Sequence, residues 1–448
     1  MRIAFLAMSG VRAYDPELTA LGLTLPGFVE RNRIIASLPS LALLTLAALT
    51  PDDIAVSYHE VPDLAAADAL PVDVDLVAIS TYSAQVFEAY AVAERYVARG
   101  VPVVMGGLHT TARPEEARAR GIVPVVGEGE RTWPRLVDDL RRGRLADEYR
   151  PDDGEPFDLA DAPMPRYELL DVARYNRLTV QTSRGCPHRC EFCASSVLLT
   201  PRYRVKPVAR VLAEIHRIKQ LWPEPFIEFA DDDSFVDRAH YKELLRALAR
   251  ERIKWFTEAD VSIADDPELL RLMQASGCRQ VLIGLESPTA AGLAGLEMKS
   301  DWKRRRQPDY EAAVRIIQGH GITVNGCFIL GLDGQDDRVF DAVHDFVART
   351  GLYDVQITVL TAFPGTPLHE RLTRERRILE PDAWAKCTLF DVNHVPTGMT
   401  PERLRHGLVD LARRLYDGAF TAARRERFFQ QLGRAGASPR AASRRAEP

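Results

Sequence analysis

Arg184-Gly185-Cys186-Pro187-His188-Arg189-Cys190-Glu191-Phe192-Cys193 is the stretch that decides how this chain is read. Its cysteines follow the spacing C-x3-C-x2-C. Three thiolates on one short loop can hold three irons of a [4Fe–4S] cluster and leave the fourth iron open to a substrate or cofactor. An iron with an open position does chemistry, whereas a fully ligated one mostly carries electrons. Two plainer readings compete. Disulfides are disfavoured, because the six cysteines (Cys186, Cys190, Cys193, Cys278, Cys327, Cys387) are few for 448 residues and no secretory signal precedes them. Structural zinc is the stronger rival, since C-x2-C is a common half-site. Zinc, however, takes four ligands, usually from two paired clusters, and no second C-x2-C exists here. The spacing favours iron–sulfur.

Outward from the loop, the chain alternates apolar strands with amphipathic helices. Before it, strands are expected at Ile3–Met8, Ile54–His59, Leu76–Tyr82, Val101–Gly106 and Val123–Gly127. Helices are expected at Leu41–Leu49, Val86–Ala98, Pro114–Arg120 and Thr132–Arg141. That period predicts a doubly wound parallel sheet over residues 1–145, with helices on both faces. Ligands of such sheets sit beyond the carboxyl ends of the strands. There the chain places Ser80 and Thr81, then Gly106 and Gly107, then Gly127, Glu128 and Gly129; glycine lets backbone approach a ligand closely. Residues 146–172 turn acidic and proline-bearing, which reads as a linker.

After the linker, six strand–helix units fill 173–371, with strands at Leu178–Thr182, Pro225–Phe229, Lys254–Glu258, Gln280–Leu285, Thr323–Leu330 and Val355–Leu360. They fit a partial (β/α)6 barrel of TIM type, in which function gathers at the carboxyl ends of the strands. The cysteine loop follows the first of them. Residues 372–432 read as helical (Pro381–Lys386, Pro401–Asp417, Ala419–Gln431), with Thr388–Val392 a strand or a lid edge, and 433–448 as a disordered tail. The fold class is thus α/β throughout, ending in helices.

Bulk properties narrow the setting. The chain is 46% hydrophobic and 27% charged, a globular composition. A net charge of −5 argues against a general nucleic-acid partner. No apolar run reaches a bilayer-spanning length, the longest candidate being Ala36–Thr50, broken by Pro39. Met1 leads straight into a strand, so a cytoplasmic setting is expected, and a reducing one suits an oxygen-sensitive cluster.

The cysteine run, with Phe192 before its last cysteine, resembles the radical S-adenosylmethionine enzymes. The resemblance implies that Cys186, Cys190 and Cys193 hold the cluster, that its open iron chelates S-adenosylmethionine, and that one-electron cleavage yields a 5′-deoxyadenosyl radical. It also implies an adenine contact at Phe192 and an electron donor such as flavodoxin or ferredoxin. Glu286 and Ser287, in Gly284-Leu285-Glu286-Ser287-Pro288, match positions that contact the methionine or ribose part of the cofactor. Among the acids that end the strands, Asp232 is a candidate for its ammonium and Glu258 for a polar contact inside the barrel. Arg184 either tempers the charge of the thiolates or is ordinary surface charge. Cys278 and Cys327 read as small buried hydrophobes, Cys387 leaves open a functional role, and Lys303-Arg304-Arg305-Arg306 reads as a solvated face.

The first half resembles the cobalamin-binding domain that precedes the radical barrel in one large subgroup. Gly106-Gly107-Leu108-His109, Pro114-Glu115-Glu116 and Gly127-Glu128-Gly129-Glu130 carry that likeness. The D-x-H-x-x-G motif of many such domains is missing: after the first strand the chain reads Ser9-Gly10-Val11-Arg12-Ala13-Tyr14. His109 is expected to shape its loop rather than to ligate cobalt. Together the two halves imply a cobalamin-dependent radical methyltransferase acting on an unactivated carbon of a small molecule. A radical rearrangement, cyclisation or oxidation is the first alternative, and a zinc-stabilised ligand-binding protein the second.

Overall fold

The computed structural model describes residues 1–20, 38–151, 155–199 and 202–436. The first sheet is built from β1 (Arg2–Met8), β2 (Ala55–Val61), β3 (Leu76–Ser80), β4 (Val103–Gly106) and β5 (Val123–Pro124), all parallel in the order β2-β1-β3-β4-β5. Side-chain alternation explains why it is covered twice. Ala4, Leu6 and Met8 of β1 pack with the helix Val86–Val97 on one face, and Ile3, Phe5 and Ala7 pack with Leu43, Trp133 and Leu136 on the other. The strand order reverses between β1 and β3, which opens a crevice at their carboxyl ends.

The second sheet takes β6 (Leu178–Val180), β9 (Phe226–Ser234), β10 (Lys254–Ala259), β11 (Cys278–Glu286), β12 (Thr323–Leu330) and β13 (Asp354–Val359) in sequential parallel order. A small antiparallel pair, β7 (Ser183–Arg184) and β8 (Arg204–Val205), brackets the cysteine loop. Helices return between the strands and carry the outer core. The helix Pro267–Ala275 shows why they start where they do: Asp266 accepts from Leu269 N–H and proline takes the first helical position. Gly351, at φ 63°, ends Arg338–Thr350.

Local expectations needed correction in several places. Thr388–Val392 is not a strand; Leu389 adopts φ 71° and its carbonyl accepts from Val359 N–H at 2.7 Å, so the segment caps the end of β13. The helix expected over Pro381–Lys386 shrinks to one turn, Trp384–Lys386, because Asp382 sits at φ 58°. The last helix, Gly418–Gly436, runs past Gln431 into the tail; the rest of that tail, 437–448, lies outside the described residues. Among the described residues no helix is long and apolar enough to cross a membrane.

Candidate active site between the two sheets

The cysteine loop is shaped by its neighbours rather than by its own sequence. Gly185 turns at φ 100°, and a Cβ there would lie 2.4 Å from the Arg202 carbonyl oxygen, so only glycine fits. Its N–H donates to Asp232 at 2.8 Å, and the other Asp232 oxygen accepts from the Ser195 hydroxyl. The far limb of the loop is held by the segment after β11: Glu191 N–H donates to Leu296 O at 3.0 Å, and Met298 N–H to Arg189 O at 2.9 Å. Glu297 gathers the N–H groups of Arg189, Lys299 and Ser300 at 2.8–3.2 Å. Burial opposes its ionisation, but those donors hold its carboxyl at about 2. Arg371 grips Glu191 at 2.7 Å, and His188 packs at a tilt against Trp302 with ring centroids 4.4 Å apart.

All three thiols are free. Burial pushes the Cys190 thiol up to about 12, partly offset by the Lys303 ammonium, and burial with Asp233 raises Cys186. Bare thiolates are thus disfavoured here, and a bound cation is what would stabilise them. The donor set fits a metal cluster held by Cys186, Cys190 and Cys193. Phe192 beside them is half-buried against the barrel core.

The acids at the strand ends divide sharply. Asp231 is buried and accepts from Thr182 and Ser183 N–H, both at 2.8 Å, and from Ser234 and Tyr241, which makes it a brace of the loop's root. Asp232 serves the loop itself, as above. Glu228 pairs with the buried Arg177. Glu286 is buried in a left-handed conformation, φ 60°, and receives Lys303 Nζ at 2.8 Å; the same ammonium donates to Gly284 O at 2.8 Å. Lys303 is therefore not part of a solvated face, although its run of basic residues reads as one. Ser287 is fully buried, its hydroxyl engaged by Thr289, so it shapes its own turn. Glu258 alone of this group has no hydrogen-bond or ion-pair partner among the described residues. Although water reaches it, desolvation by the dense protein around it, then Glu228 and Asp232, raise its carboxyl to about 8.

A cavity of about 430 Å³ lies between the carboxyl ends of both sheets. From the first sheet Ser80, Gly106, Gly107, Gly127, Glu128 and Gly129 line it, and from the barrel Gln181, Arg184, Ser195, Ala230 and Asp232. Thr81 is the one residue of that predicted set that does not; its hydroxyl donates to the Tyr82 carbonyl at 3.0 Å. Tyr82 lines the cavity instead. Gly107, at φ 109°, comes so close to Thr81 O that a Cβ would stand 2.8 Å from it. No histidine lines the cavity among the described residues. His109 is fully buried between Ser83 (3.1 Å) and Glu116 (3.4 Å), a loop-shaping role.

Arg184 ties the two halves together. Its guanidinium donates to Glu128 and Glu130 of the first domain, each at 2.7 Å, and Arg204 adds a second contact to Glu128 at 2.8 Å. Burial works against ionisation of Glu128, but Arg204, the Phe157 N–H and Arg184 hold its carboxyl below the usual range. Arg184 is therefore neither surface charge nor a partner of the thiolates. Of the remaining cysteines, Cys278 and Cys387 are buried, Cys387 contacting Ala362 O and Asn393. Cys327 is only half-buried and faces Glu258, Glu286 and Lys303, unlike the buried hydrophobe expected. Tyr82, Lys303 and the Arg184 lock escaped sequence reasoning. Tyr82 carried one usable signal, its place directly after a strand end; the partners of Lys303 and Arg184 are set only by the folded chain.

Comparison with known proteins finds family matches over three stretches of the chain. The family model of the radical SAM superfamily matches residues 180–347, that of the B12 binding domain residues 37–137, and a domain of unknown function (DUF4070) residues 366–447. The bacteriochlorophyllide d C-12(1)-methyltransferase of Chlorobaculum tepidum is 27% identical over 79% of this chain and 77% of its own length. The hopanoid C-2 methylase of Rhodopseudomonas palustris is 27% identical over 78% of this chain and 67% of its own. In fold, the chain is similar to the radical S-adenosylmethionine methyltransferase TsrM of Kitasatospora setae (TM-score 0.66, 18% identity, 93% of this chain and 89% of that one). With its cysteine loop inside the first of these matches and its glycine-lined strand ends inside the second, the chain is an enzyme of the radical SAM superfamily that carries a B12-binding domain.

Proposed function

We propose that this protein is a cobalamin-dependent radical methyltransferase that adds a methyl group to an unactivated carbon of a small molecule. The observation that carries this reading is the single cavity walled by the glycine-rich strand ends on one side and by Arg184, Ser195 and Asp232 of the cysteine-loop region on the other. Two cofactor sites that share a wall can act on one substrate. Bound there, an iron–sulfur cluster with S-adenosylmethionine would supply one-electron chemistry and a corrinoid a transferable methyl group.

This chain's residues would do the holding. Cys186, Cys190 and Cys193 ligate the cluster, with Asp232 and Glu297 fixing their loop. Phe192, Glu286 and Lys303 contact S-adenosylmethionine, with Ser287 keeping the Glu286 turn in place. Ser80, Gly106, Gly107, Gly127, Glu128 and Gly129 would cradle the corrinoid, in a cavity whose lining holds no histidine among the described residues. The division we adopt is 1–145 for the corrinoid domain, 146–172 for the linker, 173–371 for the barrel and 372–432 for the helical end. The electron donor is a small redox protein of the flavodoxin or ferredoxin kind, and the setting is a reducing cytoplasm.

Anaerobically reconstituted protein tests this. With dithionite and S-adenosylmethionine it should release 5′-deoxyadenosine, and it should retain a corrinoid through gel filtration. Replacing Cys190 by alanine should abolish the first and spare the second. Loss of neither, or a purified protein that binds no corrinoid, would overturn the reading.

A further inference from the structure

The register of the barrel strands places Glu258 opposite Leu282, and Leu282 opposite Asn325. The three side chains therefore lie in one row on one face of the sheet. Cys327, two residues past Asn325, shares that face and feels the charges of Glu286, Glu258 and Lys303, whereas Val281, Ile283, Val324 and Phe328 of the opposite face fill the helix-packed core. The row thus looks into the lumen.

Three features set it apart. Glu258 is solvent-accessible although Glu228, Asp232, Asp231 and Glu286 surround it, so the space it meets is an internal chamber. Its carboxyl has no hydrogen-bond or ion-pair partner among the described residues, while each of those four acids has one. Asn325 is 1% exposed, and neither its side-chain nitrogen nor its oxygen has a partner among the described residues. A buried amide left wholly unpaired is costly, and native chains complete such groups with something bound. Tyr82 of the first domain, 55% exposed, is close enough to feel the charge of Glu228.

We propose that the substrate lies along this row: Glu258 accepts a hydrogen bond from an ammonium, amide N–H or hydroxyl, and Asn325 pairs with a second polar group roughly 10 Å away, two strand spacings across. Leu282 between them contacts an apolar stretch. The ring of acids excludes a phosphate or carboxylate from the Glu258 end. Glu258 is then a substrate-binding residue, and the polar contact expected of it inside the barrel is to substrate. This rests on the barrel being the active site, and the test reads binding alone.

The test uses reconstituted protein saturated with S-adenosylmethionine at pH 8.5, where the Glu258 carboxyl is mostly ionised and benzylamine is still an ammonium. Benzylamine, benzyl alcohol and benzoate are compared as probes of equal size by saturation-transfer NMR. Benzylamine should bind, benzyl alcohol more weakly, and benzoate not at all. Glu258→Gln should weaken benzylamine at least tenfold and leave S-adenosylmethionine affinity, read by equilibrium dialysis, unchanged. Asn325→Leu should leave benzylamine binding intact but weaken a longer probe, 4-(aminomethyl)phenethyl alcohol, at least fivefold. The proposal is overturned by benzoate binding as well as benzylamine, by no amine binding, by a Glu258→Gln protein that keeps amine affinity or loses S-adenosylmethionine, or by an Asn325→Leu protein that treats both probes as wild type does. The wild-type probe series stands even where a variant fails to fold. Failure here with 5′-deoxyadenosine still released would leave the methyltransferase reading standing.

Discussion

The cysteine loop and the barrel lumen both feel the charges of Glu286 and Lys303 and are built on opposite plans. Around the loop nearly every polar group is satisfied: Asp231, Asp232 and Glu297 each accept two or more hydrogen bonds, and Arg371 and His188 are tied down. In the lumen Glu258 and Asn325 are left without partners among the described residues. The first plan fixes geometry before anything binds, as a site for a resident cofactor needs. The second leaves polar groups whose partners must arrive with a ligand that comes and goes.

The largest break in that contrast should come from Lys303→Met. It strands Glu286 in the interior beside Cys190, and removing one partner of a buried pair costs about 3–5 kcal/mol. Denaturant unfolding checks it, and Lys303→Met with Glu286→Gln should recover much of the loss. Gly185→Ala attacks the loop at its tightest turn; a loss of about 2–3 kcal/mol is expected, with iron content after reconstitution falling in step. Arg184→Met should cost about 2 kcal/mol by leaving Glu128 and Glu130 short of a partner, and should loosen corrinoid retention.

Glu258 should show the reverse sign. Its folded carboxyl titrates near 8, above the ordinary 4.5, so the folded state holds the extra proton. Stability is fully present below about pH 4.5 and is lost as pH rises through 8. Glu258→Gln should therefore be more stable than wild type at pH 8.5 by about 1 kcal/mol, after allowance for water in the chamber, with little difference at pH 5. Melting curves at the two pH values check it; equal curves would mean that the acid is already paired.

Much of the architecture is legible because it rests on short periods. Alternation in Ile3–Met8 and the helical spacing of Val86–Ala98 are written locally, and both elements form where expected. The cysteine loop is legible because its ligands are adjacent in sequence. Lys303 is not: within Lys303-Arg304-Arg305-Arg306 nothing separates it from its neighbours, and only the path of the chain after β11 turns it inward to Glu286. Asp232 was visible as an acid at a strand end, but its work on Gly185 and Ser195 depends on contacts 47 and 37 residues away. Thr388–Val392 misled for a related reason: a buried apolar loop that caps a strand has the composition of a strand.

Arg184 immediately precedes Gly185-Cys186, and its guanidinium is anchored on the opposite domain. Any widening or narrowing of the interdomain gap must then pull on the peptide that carries the first sulfur ligand. The two halves behave as one lever, and producing them as separate polypeptides should give a barrel whose sulfur loop has lost its mooring on the other domain.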